Sequence, residues 1–256
     1  MIGYLTRRIF WIIPVLFAVS IITFVLMHSV PGGPWDREKR LPVAVQDRLN
    51  EEYGLDQPLV VQYVNWATEF ATGDLGPSYR YQDRRVNDIV ADGIGVTFQL
   101  GIMAFILAVV VGIPLGIFAA LGHNRWPDYL STSLSIVGIA TPSFILAILL
   151  IVVFSVGLGW FPSGGWRGPE YWVLPTVALA GFPIAVIARY TRASMLEVTR
   201  KDYIRTAHSK GLQNQSVVSR HMIRNALIPV VTILGPTLAF LVTGSFIIER
   251  IFTVPG

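Results

Sequence analysis

The amino-acid sequence predicts an all-α integral membrane protein, and three observations carry that prediction. Apolar residues make up 53% of the chain and charged residues only 14%, against about 25% charged in soluble domains. The charges are also segregated. Residues 9–35, 93–124, 129–166, 171–188 and 225–248 contain no Asp, Glu, Lys or Arg. The basic residues between these stretches alternate in a way that a single topology explains. A helix needs roughly 20 apolar residues to cross about 30 Å of hydrocarbon, so five spans are expected, the fourth only just long enough.

The first span starts after Arg7 and Arg8. Ile9–Met27 contains thirteen Ile, Leu, Val or Phe residues, each favouring insertion by about 0.3–0.6 kcal/mol near the bilayer centre. The sum is roughly −4 to −8 kcal/mol, an upper bound because residues away from the centre count for less. A cleaved secretory signal is the competing reading, but its apolar core is usually about 7–15 residues and ends in a small-residue cleavage site. Here the core is longer and runs into His28-Ser29-Val30-Pro31-Gly32-Gly33. A retained span is the better account.

Residues 31–92 follow, with seven basic and eleven acidic side chains. A connection of that length is expected to fold. Pro42 to Tyr53 reads as a helix, with Gly54 at its left-handed stop. Leu55-Asp56-Gln57-Pro58 reads as a turn, and Val60, Val64, Ala67 and Phe70 recur at helical spacing until Gly73. Tyr79 and Tyr81 with Arg80, Arg84 and Arg85 fit either a binding patch or a solvated loop near headgroups.

The second span is followed by a short loop around His123–Asp128 containing Arg125, and the third by a loop around Gly157–Tyr171 with only Arg167 and Glu170. Pro14, Pro114, Pro142 and Pro183 fall within the spans, and Gly112 and Gly116 are spaced for close helix approach. Packing and hinge roles both fit these residues, and packing is the simpler. Between the fourth and fifth spans, Arg189–Arg224 holds eight basic and two acidic residues. Because Lys and Arg concentrate on the cytoplasmic side, the N-terminus and this segment are expected inside and residues 31–92 outside. The net charge of +4 is then a matter of orientation, and no nucleic-acid partner is implied.

The inner segment is the most informative. Leu196, Tyr203 and Ala207 share a helical face with Ile204 beside them, while Arg200, Lys201 and Arg205 point elsewhere. Gly211 stops that helix. A second run starts near Ser216 and passes through Val217, Val218, Ile223 and Ala226 to Pro229. Two readings fit: a basic helix lying on anionic headgroups, or a helix–turn–helix projecting toward a partner groove.

The order of residues bears on that choice. Asp202-Tyr203-Ile204-Arg205-Thr206-Ala207-His208-Ser209-Lys210-Gly211-Leu212, then Arg220-His221-Met222-Ile223-Arg224-Asn225-Ala226-Leu227-Ile228-Pro229, resembles the cytoplasmic loop of binding-protein-dependent ABC importer permeases. The superfamily pattern of Glu-Ala-Ala, three residues, Gly and a downstream Ile/Leu-Pro is met at Ala207, Gly211, Ile228 and Pro229. It is departed from at Arg205 and Thr206, as in the dipeptide/oligopeptide/nickel branch. Pro31-Gly32-Gly33-Pro34, Tyr53-Gly54-Leu55-Asp56-Gln57-Pro58, Gln62-Tyr63, Gly73-Asp74-Leu75-Gly76, Leu158-Gly159-Trp160-Phe161-Pro162 and Glu249-Arg250-Ile251-Phe252-Thr253-Val254-Pro255-Gly256 resemble that branch in order and spacing.

The resemblance implies a type I ABC importer permease bundle, with five spans present and a sixth expected beyond Gly256. It divides the chain into the N-terminus and first span (1–30), an extracytoplasmic loop domain with short helices (31–92), and a core permease domain (93–256) whose cytoplasmic coupling loop covers about 193–226. It implies an ATP-driven importer of di- or oligopeptides in a bacterial or archaeal cytoplasmic membrane, with nickel or an oligosaccharide as the alternative cargo. Implied partners are a second homologous permease subunit, two ATP-binding subunits, an extracytoplasmic substrate-binding protein and membrane lipid. The coupling residues would be Asp202, Tyr203, Arg205, Ala207, Lys210, Gly211 and Leu212. In that role Gly211 makes the turn, Tyr203, Ala207 and Leu212 make contacts, and Arg205 or Lys210 supplies rim charge. The resemblance assigns no residue to the substrate pathway.

The sequence also narrows the chemistry. Its only lysines are Lys39, Lys201 and Lys210, none preceded by glycine, so it has no G-x-x-x-x-G-K-[ST] phosphate loop. A non-catalytic subunit without cofactor or metal is expected, with ATP hydrolysed by partner chains. No Asp or Glu lies within the five stretches, whereas ion-coupled carriers commonly place ionisable groups at mid-membrane. There is no cysteine, and the four histidines lie at span ends (His28, His123) or in the inner segment (His208, His221). That distribution gives no arrangement for an intramembrane hydrolase.

Overall fold

Hydrocarbon offers no water to hydrogen-bond the backbone, so a crossing segment must satisfy its own N–H and C=O groups, and a helix does so within one segment. The computed structural model describes residues 2–30, 43–79, 81 and 84–256; among them it is helical, with one isolated bridge between Pro77 and Arg85. The Pro31-Gly32-Gly33-Pro34 run, the helix start expected at Pro42, and Arg80 lie outside the described residues. The chain forms two units, Met1–Ala91 and Asp92–Gly256.

In the first unit, α1 (Ile2–Ser29) is the first span, and α2 (Val43–Glu52) and α3 (Leu59–Ala71) follow it. Gly54 takes φ +63 after α2, as a left-handed stop requires. The packed face of α3 is not the Val60–Val64 stripe but an aromatic one. Tyr63 meets Phe17 and Phe24 edge-on, Trp66 lies on Phe70, and the Tyr63 hydroxyl is 2.8 Å from Ser20 Oγ. Rings at i, i+3 and i+7 share a helix face, and their larger surface wins over the valines. Beyond α3, Asp74 pairs with Arg85, and Asn87 accepts from the Leu75 N–H and donates to the Gly73 carbonyl.

The second unit is built from α4 (Val86–Leu121), α5 (Trp126–Ala140), α6 (Ser143–Leu150, continued by a π-helical segment Ile151–Gly157) and α7 (Pro169–Thr199). There follow α8 (Asp202–Ser209), α9 (Asn214–Ser216, continued by a π-helical segment Val217–Ile223), α10 (Arg224–Val242) and α11 (Phe246–Ile251). The central helix is α7, whose inward side is lined by Ala178, Ala180, Ala185 and Ala188. Such small residues let neighbouring helices come close. A Cβ on Gly116 would lie 2.4 Å from the Ala188 carbonyl oxygen and 2.6 Å from Thr191 Cβ, so α4 and α7 touch backbone to backbone there. Between the packing and hinge readings of Gly112 and Gly116, the structure realises packing. Pro14, Pro114 and Pro183 lie inside continuous helices.

The third span differs from a plain helix. Its two halves, α5 and α6, meet at Thr141-Pro142 with a bend of 106°. Contacts show that the pair nevertheless runs from one end of the bundle to the other. Asp128, in its first turn, reaches Arg192 near the end of α7, whereas beyond α6 the Gly165 N–H donates to the Phe252 carbonyl at 2.7 Å. At that second end Gly101 abuts Leu241 and Val242, and Gly93 abuts Gly256. The four crossings of this unit therefore alternate: α4 and α7 run one way, α5–α6 and α10 the other. Trp160, Trp166 and Trp172 gather at the Phe252 end, with Trp166 and Trp172 5.7 Å apart, as interfacial aromatics do. From Trp172 to Tyr190 α7 rises about 27 Å, close to the hydrocarbon thickness.

Candidate functional site

The segment between α7 and α10 folds as a compact knob at the Arg192 end of the bundle. Arg200 and Lys201 make a tight turn after α7, and the Ile204 N–H donates to the Lys201 carbonyl at 3.0 Å as α8 begins. Apolar residues hold α8 in place. Ile204, 2% exposed, and Ala207 pack with Ala120 of α4, Met195 and Val198 of α7, and Val217, Met222 and Ala226 beyond the turn. One cluster thus joins α8 to three crossings.

Helix α8 ends as the sequence predicts. Gly211 takes φ +76. Its N–H donates to the His208 carbonyl, and the Leu212 N–H to the Ala207 carbonyl, at 2.9 and 3.3 Å. That pair of bonds is a Schellman cap, which places the residue after the C-cap in the left-handed region where glycine alone has no Cβ penalty. Nothing lies within 4 Å of a Cβ added at Gly211, so the requirement is conformational and not steric. The second run begins at Asn214, two residues before Ser216, and continues through Pro229 within α10.

The outer surface of this knob carries the remaining candidate side chains. Tyr203 and Leu212 are 43% and 42% exposed. Asp202 and Arg205 stand in solvent, 3.8 Å apart, and Lys210 is exposed beside the Gly211 turn. Ala207 alone among the candidates turns inward, into the cluster that seats α8. A surface of one aromatic, one aliphatic and mixed charges on an eight-residue helix and the turn that follows it suits contact with another protein.

Sequence reasoning overlooked a second feature at the same end. The Arg192 guanidinium donates through Nε and Nη2 to both carboxylate oxygens of Asp128, the latter bond at 2.8 Å. The Asn124 N–H donates to the same carboxylate at 3.0 Å, and His123 Nδ1 lies 3.1 Å from it. Asp128 is 3% exposed, and a buried carboxylate survives only when paired and hydrogen-bonded in this way. The available signal was an acid between two long apolar stretches that otherwise contain none. No group of three or more His, Cys, Asp or Glu suited to a metal ion occurs among the described residues.

Comparison with known proteins agrees with this architecture. Residues 112–256 match the family model described as "Binding-protein-dependent transport system inner membrane component", and residues 1–101 match the corresponding N-terminal model. The chain is 45% identical over 256 residues to the dipeptide transport system permease protein DppB of Bacillus subtilis, covering all of this chain and 83% of that one. It is 41% identical over 258 residues to the oligopeptide transport system permease protein OppB of Escherichia coli K12, covering all of this chain and 84% of that one. It is also 41% identical over 259 residues to the glutathione transport system permease protein GsiC of Escherichia coli O6:H1, at the same coverage. In fold it resembles the crystal structure of an amino acid ABC transporter, with a TM-score of 0.51 over 64% of this chain and 72% of that one, at 20% identity.

Proposed function

This chain belongs to the family of binding-protein-dependent inner-membrane transport components, the permeases of ABC importers, and from that premise we propose how it works and what it carries. The α7–α8–α10 knob docks into an ATP-hydrolysing subunit on the cytoplasmic face. Tyr203 and Leu212 are the apolar anchors, and Asp202, Arg205 and Lys210 form a charged rim that orients docking. The observation that carries this reading is the position of α8: one side exposed, the other seated in a cluster shared with α4, α7 and α10. A movement imposed on such a helix reaches three crossings without passing through a flexible link.

The chain itself supplies no ATP chemistry, having no phosphate loop. It acts with two ATP-binding subunits, a second homologous permease and an extracytoplasmic binding protein. The excess of Lys and Arg between α7 and α10 puts the knob and the N-terminus inside and residues 31–92 outside. The cargo is a di- or oligopeptide. Support for it comes from relatives named for dipeptide, oligopeptide and glutathione transport.

Gly211→Pro tests the docking, because proline fixes φ near −65° and cannot adopt the left-handed turn. The expected result is loss of ATP-binding subunits on co-purification and loss of transport-coupled ATP hydrolysis, while Gly211→Asn, which tolerates φ > 0, keeps both. Unchanged co-purification and hydrolysis in the proline variant would sink the docking assignment. For the cargo, deleting the gene is expected to abolish peptide uptake; normal peptide uptake with loss of nickel or oligosaccharide would contradict it.

A further inference from the structure

The cleft between α5 and α7 lies beside the Asp128–Arg192 pair and is separate from the docking knob. Its volume is about 340 Å3, and Ser131, Thr132 and Ser135 of α5 line it together with Arg189 and Arg192 of α7. A second hollow of about 370 Å3 shares Arg189 with it as a wall. The balance of donors and charges singles the cleft out. Asp128 engages Arg192 through Nε and Nη2, whereas a guanidinium has five N–H donors. Three donors are therefore left, on a side chain that is still 28% exposed. Arg189 is exposed and, among the described residues, has no ion-pair or hydrogen-bond partner. The cleft thus sets two guanidinium groups against one carboxylate, with hydroxyl groups among its walls. Arg189 stands at the end of the crossing, where its charge is open to solvent and headgroups, and a planar guanidinium is suited to carboxylate and phosphate oxygens.

We infer that the α5–α7 cleft binds a singly charged oxyanion, a carboxylate or a phosphate, held by Arg189 and the remaining N–H groups of Arg192. Two sources carry such a group: the C-terminal carboxylate of a peptide in transit, and the headgroup of an anionic lipid. The peptide source rests on the cargo proposed above, and the lipid source does not. Ile136, Ile139 and Ala188 in the same walls give the apolar part of either molecule a surface.

The test uses the complete transporter with its binding protein, reconstituted in phosphatidylcholine alone or with phosphatidylglycerol added. Uptake of trialanine and retention of phosphatidylglycerol by native mass spectrometry are measured for the wild type, Arg189→Gln and Arg189→Lys. If the site takes the substrate carboxylate, Arg189→Gln slows uptake about tenfold in both membranes, the loss of one charged hydrogen bond, and Arg189→Lys restores most of it. If it takes a headgroup, Arg189→Gln sheds phosphatidylglycerol and slows uptake only where that lipid is present, and Arg189→Lys again retains it. The inference is overturned if Arg189→Gln changes neither uptake nor lipid retention, or if lysine restores neither. A wild type that does not take up trialanine contradicts the peptide cargo instead, and lipid retention then decides the cleft.

Discussion

Asp128, which is buried, and Arg192, which is partly exposed, form a pair whose value depends on both members being present. Removing one partner leaves the other charged and desolvated, at a cost of about 3–5 kcal/mol, whereas removing both can be far milder. Arg192→Ala is therefore expected to destabilise the purified protein strongly in thermal unfolding, and Asp128→Ala added to it should recover part of the loss. Strict additivity of the two substitutions would contradict the pairing. Outside the membrane, Arg85 beside Asp74, helped by the Gly76 N–H, holds the Asp74 carboxyl below the ordinary carboxylate range. The folded pKa is thus lower than the unfolded one. The clasp is complete above the unfolded value of about 3.9 and is lost as pH falls through the folded one. Protection of the Leu75, Gly76, Ser78 and Val86 amides should stay constant between about pH 5 and 8 and fall only in more acid solution. Asp74→Asn should already be less protected at neutral pH and should lack the acid step.

At the level of helices, close approach decides what the sequence can vary. Gly116 faces the Ala188 carbonyl at a distance no side chain fits, so Gly116→Val must push α4 and α7 apart. Overpacking of this kind costs about 1–3 kcal/mol; lower thermal stability and reduced transport are the expected outcomes, and an unaltered melting profile would contradict the contact. The Gly112–Gly116 spacing was readable beforehand, as was the stop at Gly211, because each depends on a local property of glycine. The third crossing was readable only as an apolar stretch. Nothing local fixes a bend of 106° at Thr141-Pro142, since proline tolerates a range of outcomes set by neighbouring helices. The aromatic face of α3 and the Asp128–Arg192 pair escaped notice for the same reason: each joins residues brought together by packing, 43 and 64 positions apart. Ala207 shows the converse. The sequence groups it with Tyr203 on one face, but Ala207 turns inward with Ile204 while Tyr203 stays 43% exposed, because which side of α8 meets α4 and α7 is set by packing.

Across the whole molecule, five charge-free stretches translate into α1 and four alternating crossings of the second unit, with the knob at one end of that unit and the tryptophans at the other. That separation makes position a sharp test, and the absence of cysteine from these 256 residues makes it practical, because any cysteine introduced is the only thiol among them. Tyr203→Cys, Leu212→Cys and, at the tryptophan end, Ile247→Cys can each be labelled with a photoreactive maleimide in membranes containing the complete transporter. Docking by the knob predicts that the probes at 203 and 212 capture an ATP-binding subunit, and do so differently with and without ATP, while the probe at 247 captures none. Capture of that subunit from 247, or its absence from both 203 and 212, would contradict the account.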